Sequence, residues 1–124
     1  MYKRTIATAI IVILGLVGTS AVAECSDDQQ AQAATIAATI TKPAVSKVVA
    51  VTGKQMVSID ACESKDGNFL VEYKYNFLGD GGLYWVSASA KFGPGGASPS
   101  IRFTGKSPNL AAAEARSGLK LSAN

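Results

Sequence analysis

The sequence predicts an α+β domain in which an N-terminal helix packs on one face of an antiparallel meander of four or five strands, with a short C-terminal helix after it. Three observations carry this prediction. Asn68 to Phe92 forms two arms that alternate apolar and polar residues around Gly-Asp-Gly-Gly, which is the pattern of a β-hairpin. Ser26-Asp27-Asp28-Gln29 is a helix capping box, followed by Ala33, Ile36, Ala37 and Ile40 at i, i+3, i+4 and i+7. Cys25 and Cys62 are the only cysteines, and their pairing would pin the start of that helix to the strand before the hairpin.

The chain opens with a segment that stands apart from the domain. Lys3 and Arg4 precede an apolar run from Ile6 to Val17, and Ala21-Val22-Ala23 is a small-residue cleavage signal. Residues 1–23 therefore read as a secretory signal peptide, cleaved after Ala23. The small residues and the lack of a charged stop argue against a retained membrane anchor. Glu24, directly before Cys25, argues against lipidation of that cysteine. Cleavage leaves Glu24 to Asn124, 101 residues, enough for one modest core.

Removal of Lys3 and Arg4 leaves ten basic residues against nine acidic ones. A balance so near neutrality gives no reason to expect nucleic acid, or stable membrane insertion after cleavage. An even cysteine count in an exported chain points to one intramolecular Cys25–Cys62 bridge, worth about 3–4 kcal/mol by loop-entropy arguments. The expected location is the periplasm or the exterior.

From the capping box, the helix is expected to run from about Asp27 to about Thr41, ending ahead of Pro43. Its stripe is narrow and alanine-rich, so it can approach a partner closely. Val45 to Thr52 reads as a strand, Gly53-Lys54 as a turn, and Met56 to Glu63 as the next strand. Asp66-Gly67 is a tight hairpin signal that sets Cys62 opposite Val71, Asp60 opposite Tyr73, Ser58 opposite Tyr75 and Met56 opposite Phe77. Pairing Leu78 with Leu83 in the following hairpin puts Phe77 opposite Tyr84, Tyr75 opposite Val86, Tyr73 opposite Ala88 and Phe69 opposite Phe92. Cys62 then lies on the aromatic face, so its bridge to Cys25 places the helix there too.

One detail conflicts with this scheme. The expected first turn sets Lys47 beside Asp60 on the face that should be buried, either as a rim pair or as the mark of a register slip. Gly93 to Pro99 is dense in turn formers and is expected to be a mobile loop. Ser100 to Thr104 follows as a fifth strand, with Ile101 and Phe103 inward. Ser107-Pro108 opens a helix to about Ser117, stopped by Gly118. Residues 122–124 should fray. In layout alone, this arrangement resembles the helix-on-curved-sheet architecture of cystatin-like domains, and no motif carries the likeness further.

The chain has no histidine, which removes the usual Ser-His and Cys-His nucleophile systems and imidazole metal ligands. No two carboxylates fall together on one face in the manner of a glycosidase pair. Gly105-Lys106-Ser107 ends like a phosphate-binding loop, but position 100 is serine where that motif needs glycine. No catalytic residue, metal or cofactor is therefore expected. What remains is a binding role. Trp85 shares the polar face of the hairpin with Leu70, Leu78, Leu83 and Asn76, a small apolar cluster suited to a protein or envelope partner. The alternative is a small-ligand carrier with a pocket between helix and sheet, using Asp60, Tyr73 and Tyr75.

Overall fold

The computed structural model describes residues 23–121; residues 1–22, which hold the expected leader and all of its expected cleavage signal but Ala23, and residues 122–124 lie outside the described residues. The order of elements is β1 (Ala23–Glu24), α1 (Asp27–Ser46), β2 (Val51–Lys65), β3 (Asn68–Gly79), β4 (Gly82–Phe92), β5 (Ser100–Lys106) and α2 (Pro108–Ser117). The strands form one antiparallel five-stranded sheet in sequential order, a meander with both helices on one face. The fold is α+β with an N-terminal helix, a meander and a short C-terminal helix.

The capping box forms as the sequence implies: the amide of Gln29 donates to Ser26 Oγ, and the amide of Ser26 donates to Gln29 Oε1. Cys25 and Cys62 are bridged, with Cα atoms 5.4 Å apart, and the Cys25 amide also donates to the Cys62 carbonyl. This clamp sets the first turn of α1 over the aromatic face. Ala33 and Ala37 are completely buried there, and Ile36 and Ile40 pack on the flank.

The helix extends beyond its expected end. It continues through Pro43 to Ser46 because Thr41, Ala44 and Val45 bury their side chains against the sheet. Pro43 cannot donate to the Thr39 carbonyl, and an interior proline costs about 3 kcal/mol in an isolated helix. Complete burial of Val45, worth about 1.5–3 kcal/mol, together with that of Ala44 and Thr41, outweighs the break. Val45 is thus helical, and the expected first strand and its Gly53-Lys54 turn do not exist: β2 runs unbroken through both residues.

The hairpin of β3 and β4 has the expected register at every position, from Phe69↔Phe92 to Leu78↔Leu83, with a further Gly79↔Gly82 pair beside a two-residue Asp80-Gly81 turn. Gly79 is required by crowding, since a Cβ there would lie 2.7 Å from Val49 Cγ1 and 2.9 Å from the Ala50 carbonyl oxygen. At the other end of β3, Asp66 and Gly67 both take positive φ, as the tight Asp-Gly turn demands.

Between β2 and β3 the register begins as expected, with Cys62 opposite Val71, and then slips by one residue. Ile59 faces Tyr73 and Ala61 faces Glu72, which leaves Asp60 as the extra residue of a β-bulge. Three expected pairs are thereby corrected: Ile59, not Asp60, meets Tyr73; Val57, not Ser58, meets Tyr75; and Gln55, not Met56, meets Phe77. The bulge also resolves the Lys47–Asp60 conflict. It turns the charged side chain out to solvent and brings Val57 and Ile59 against the core.

Gly93 to Pro99 is also tighter than expected. Pro94–Gly96 forms a single 3-10 turn, closed by bonds from the Gly93 amide to the Ala97 carbonyl and from the Gly96 amide to the Gly93 carbonyl. Gly96 sits directly on Ile36 of α1. α2 forms as expected, with Gly118 in the left-handed conformation at its end, and Leu110 and Ala113 join the core.

Candidate functional site: the uncovered sheet face

Successive residues on β3 and β4 point to opposite faces, so one residue type meets two environments. On the inner face, Tyr75, Phe77 and Tyr84 form a run of stacked rings with centroids 5.4 Å apart. On the outer face, Leu78 stays 41% exposed, Leu83 60% and Met56 62%. Leu78 pairs directly with Leu83, Trp85 lies two residues along β4 opposite Asn76, and Met56 lies opposite Asn76 from the other side. Asn76 is thus the polar centre of a row that runs Met56, Asn76, Trp85 across three strands.

Met56 is the member that the sequence pattern missed. Uniform alternation from Cys62 assigns it to the aromatic face, and the Asp60 bulge moves it to the outer one. Leu70 belongs elsewhere. It lies eight residues from Leu78 along β3, about 26 Å at the rise of a strand, and the structure does not bring it into the cluster.

The backbone under Trp85 is firmly held. Its amide donates to Ser107 Oγ, and its carbonyl accepts from the Ser107 amide at 2.9 Å. Asn109 Nδ2 donates to the Leu83 carbonyl at 2.8 Å. The entry to α2 therefore ties down the strand that carries the cluster. The indole lies close over Gly105, where the absent side chain leaves it room, and Lys74 Nζ sits 4.5 Å from the ring centroid. Leu110 and Ala113 of α2 face the core on the opposite side of the sheet, and the indole itself is half-buried. Leu121 packs on the core as well.

The residues of the expected helix–sheet pocket are not gathered into one. Tyr73 and Tyr75 have almost no accessible surface, so no water-sized space lies against either side chain. Tyr73 Oη shares a hydrogen bond with Thr41 Oγ1, and Tyr75 Oη donates to Gln55 Oε1. Burial raises the Tyr73 hydroxyl above its ordinary pKa despite the opposing Thr41 bond, and pushes Tyr75 up to about 12. Asp60 stands outside, on the rim of a polar cleft of about 260 Å³ with Glu24, Asp27, Gln30 and Glu63.

Two larger clefts flank the Pro94 turn. One of about 510 Å³ is lined by Leu70, Lys65, Lys91, Phe92 and Pro94, and one of about 560 Å³ lies between α1 and the turn. Both are open surface features. Among the described residues, no group of three or more His, Cys, Asp or Glu side chains is placed to hold a metal ion, and no helix is long and apolar enough to cross a membrane.

One ion pair occurs among the described residues. Lys106 Nζ donates to Glu114, whose second oxygen accepts from the Leu121 amide at 2.8 Å. The Lys106 hydrogen bond, helped by that amide, holds the Glu114 carboxyl below its usual range. This clamp fixes the C-terminal strand, helix and tail to one another. Compared with protein-family models, curated proteins and solved structures, the chain finds no match.

Proposed function

We propose that the protein is a small, exported, non-catalytic binding module that holds a protein or envelope partner on the outer face of its sheet, around Trp85. The observation that carries this reading is the row Met56, Asn76, Trp85 with Leu78 and Leu83 beside it: a half-buried indole flanked by the exposed Met56, Leu78 and Leu83 around one amide, on a backbone braced by Ser107 and Asn109. An aromatic anchor with apolar neighbours and a cationic rim at Lys74 is the composition that protein interfaces favour at their energetic centre.

The Cys25–Cys62 bridge suits an oxidising compartment, in line with a leader cleaved after Ala23. Glu24 keeps its pairing with Glu63 after such a cut. A non-catalytic role accords with a chain that lacks histidine and has both cysteines in a bridge.

The single tryptophan makes the test direct. Envelope extracts added to the purified protein should shift or quench its fluorescence, and cross-linking should recover one discrete partner. Trp85→Ala should abolish that cross-link while the melting temperature changes little. A partner retained by Trp85→Ala and by Leu83→Asp would sink the proposal.

A further inference from the structure

The longest unpartnered feature among the described residues is the free edge of β2. β1 covers only Glu63 and Ser64 of this fifteen-residue strand, so among the described residues Val51 to Ala61 has no strand beside it on that side. An open edge of this kind is a template for a further strand.

The edge has an internal symmetry. Of the two stretches of β2 in unbroken register against β3, Ala61 to Lys65 lies towards the end that β1 covers, and Gln55 to Ile59 lies wholly on the open edge, with an irregularity at each end and Val57 at its centre. Three residues before Val57 stands Lys54, and three residues after it stands Asp60, both exposed. Consider an identical strand laid antiparallel along the edge, about a two-fold axis through Val57. It sets Val57 against Val57, Met56 against Ser58, Gln55 against Ile59, and Lys54 against Asp60. The regular stretches coincide, and the opposite charges meet twice. A shift by one or two residues loses both charge pairs and sets a bulge against the regular stretch.

We propose that the protein forms a homodimer by antiparallel pairing of its β2 edges about Val57, locked by reciprocal Lys54–Asp60 pairs. The helices allow it. Gln30 of α1 shares the polar cleft with Ile59 and Asp60, so this flank of the helix faces the β2 edge. Ala34 and Ala38, half-buried, follow one and two turns later on the same flank. Across the two-fold seam α1 meets its copy antiparallel, and alanine leaves room for that approach. The bulge and the lysine that deter foreign strands thereby select one register of self-pairing. The dimer extends the outer sheet face and places Met56 of both copies near the seam, so two Trp85 clusters share one surface.

The test is sedimentation velocity on protein expressed from the full-length sequence with its leader, over a wide concentration range, with circular dichroism as the control for folding. Wild type should reach the dimer mass as concentration rises. Lys54→Asp and Asp60→Lys, both at exposed positions, should each weaken the dimer at least about tenfold through like-charge contacts. The combined Lys54→Asp/Asp60→Lys protein should dimerise again, because the exchange restores both pairs. A monomer at every concentration overturns the proposal, and so does a dimer indifferent to the single changes or a charge exchange that restores nothing. Trp85→Ala should leave the dimer intact, so failure of the dimer and failure of the partner-binding face are told apart.

Discussion

Phe77 and Leu78 are consecutive, similarly apolar and held by the same hairpin, yet Phe77 has no exposed surface and Leu78 keeps 41% of its own. The difference lies in what each face of the sheet meets. The inner face is sealed by α1, whose alanines let the helix lie close, and by Leu110 and Ala113 of α2. The outer face has no second layer among the described residues, and its centre is polar along Lys74, Ser87 and Ser89. A sheet needs only one covered face to be stable. Stability therefore resides on the helix side, and the side chains available for recognition stand on the other.

Substitutions can break that contrast at graded depth. The largest effect is expected at Phe77, stacked between Tyr75 and Tyr84: Phe77→Ala should lower unfolding free energy by about 3–5 kcal/mol in urea titrations. Replacing Cys25 and Cys62 together by serine should remove about 3–4 kcal/mol, since the bridge spans a sequence separation of 37 residues. Under the same titration the outer face should stay intact in whatever fraction remains folded.

A smaller effect is expected from pH. Glu114 is held below its ordinary pKa of 4.5 by Lys106, so its contribution is fully present above that value and is lost as pH falls through the lower folded-state pKa. Melting temperature followed into acid should drop more steeply for wild type than for Glu114→Gln, which lacks the ionisable partner. The smallest change is expected outside: Leu83→Ser should alter stability by no more than about 0.5 kcal/mol, as for most exposed sites. A large loss at Leu83 would mean that the outer face carries structural weight, and the division between the faces would fail.

The same division explains which features could be read before the structure. The register of β3 and β4 was legible in full because both arms alternate without interruption and a short glycine-rich turn joins them. The Cys25–Cys62 bridge followed from the even cysteine count, and the helix on the aromatic face from that bridge taken with the alternation that turns Cys62 inward. α2 was marked by Pro108 at its start and Gly118 at its end. The register of β2 is not legible in the same way, because a bulge has no local signature: nothing around Asp60 distinguishes an extra residue from a regular one. That one residue displaced Val57, Gln55 and Met56, so the Trp85 cluster was assembled without Met56. Alternation gives Leu70 the same face as Trp85 but not its neighbourhood: Leu78 lies eight residues away along β3.

By itself, the sequence determined the amphipathic hairpin, the capped helix, the cysteine link and the polarity of each sheet face, because these depend on side-chain period and on turn and cap chemistry close in the chain. Only the tertiary structure decided where α1 ends, where β2 shifts register, and which apolar residues share the outer surface. Each of those depends on burial across the domain: Thr41, Ala44 and Val45 together gain more against the sheet than Pro43 loses in the helix, and Val57 and Ile59 reach the core only if Asp60 is pushed out of the ladder.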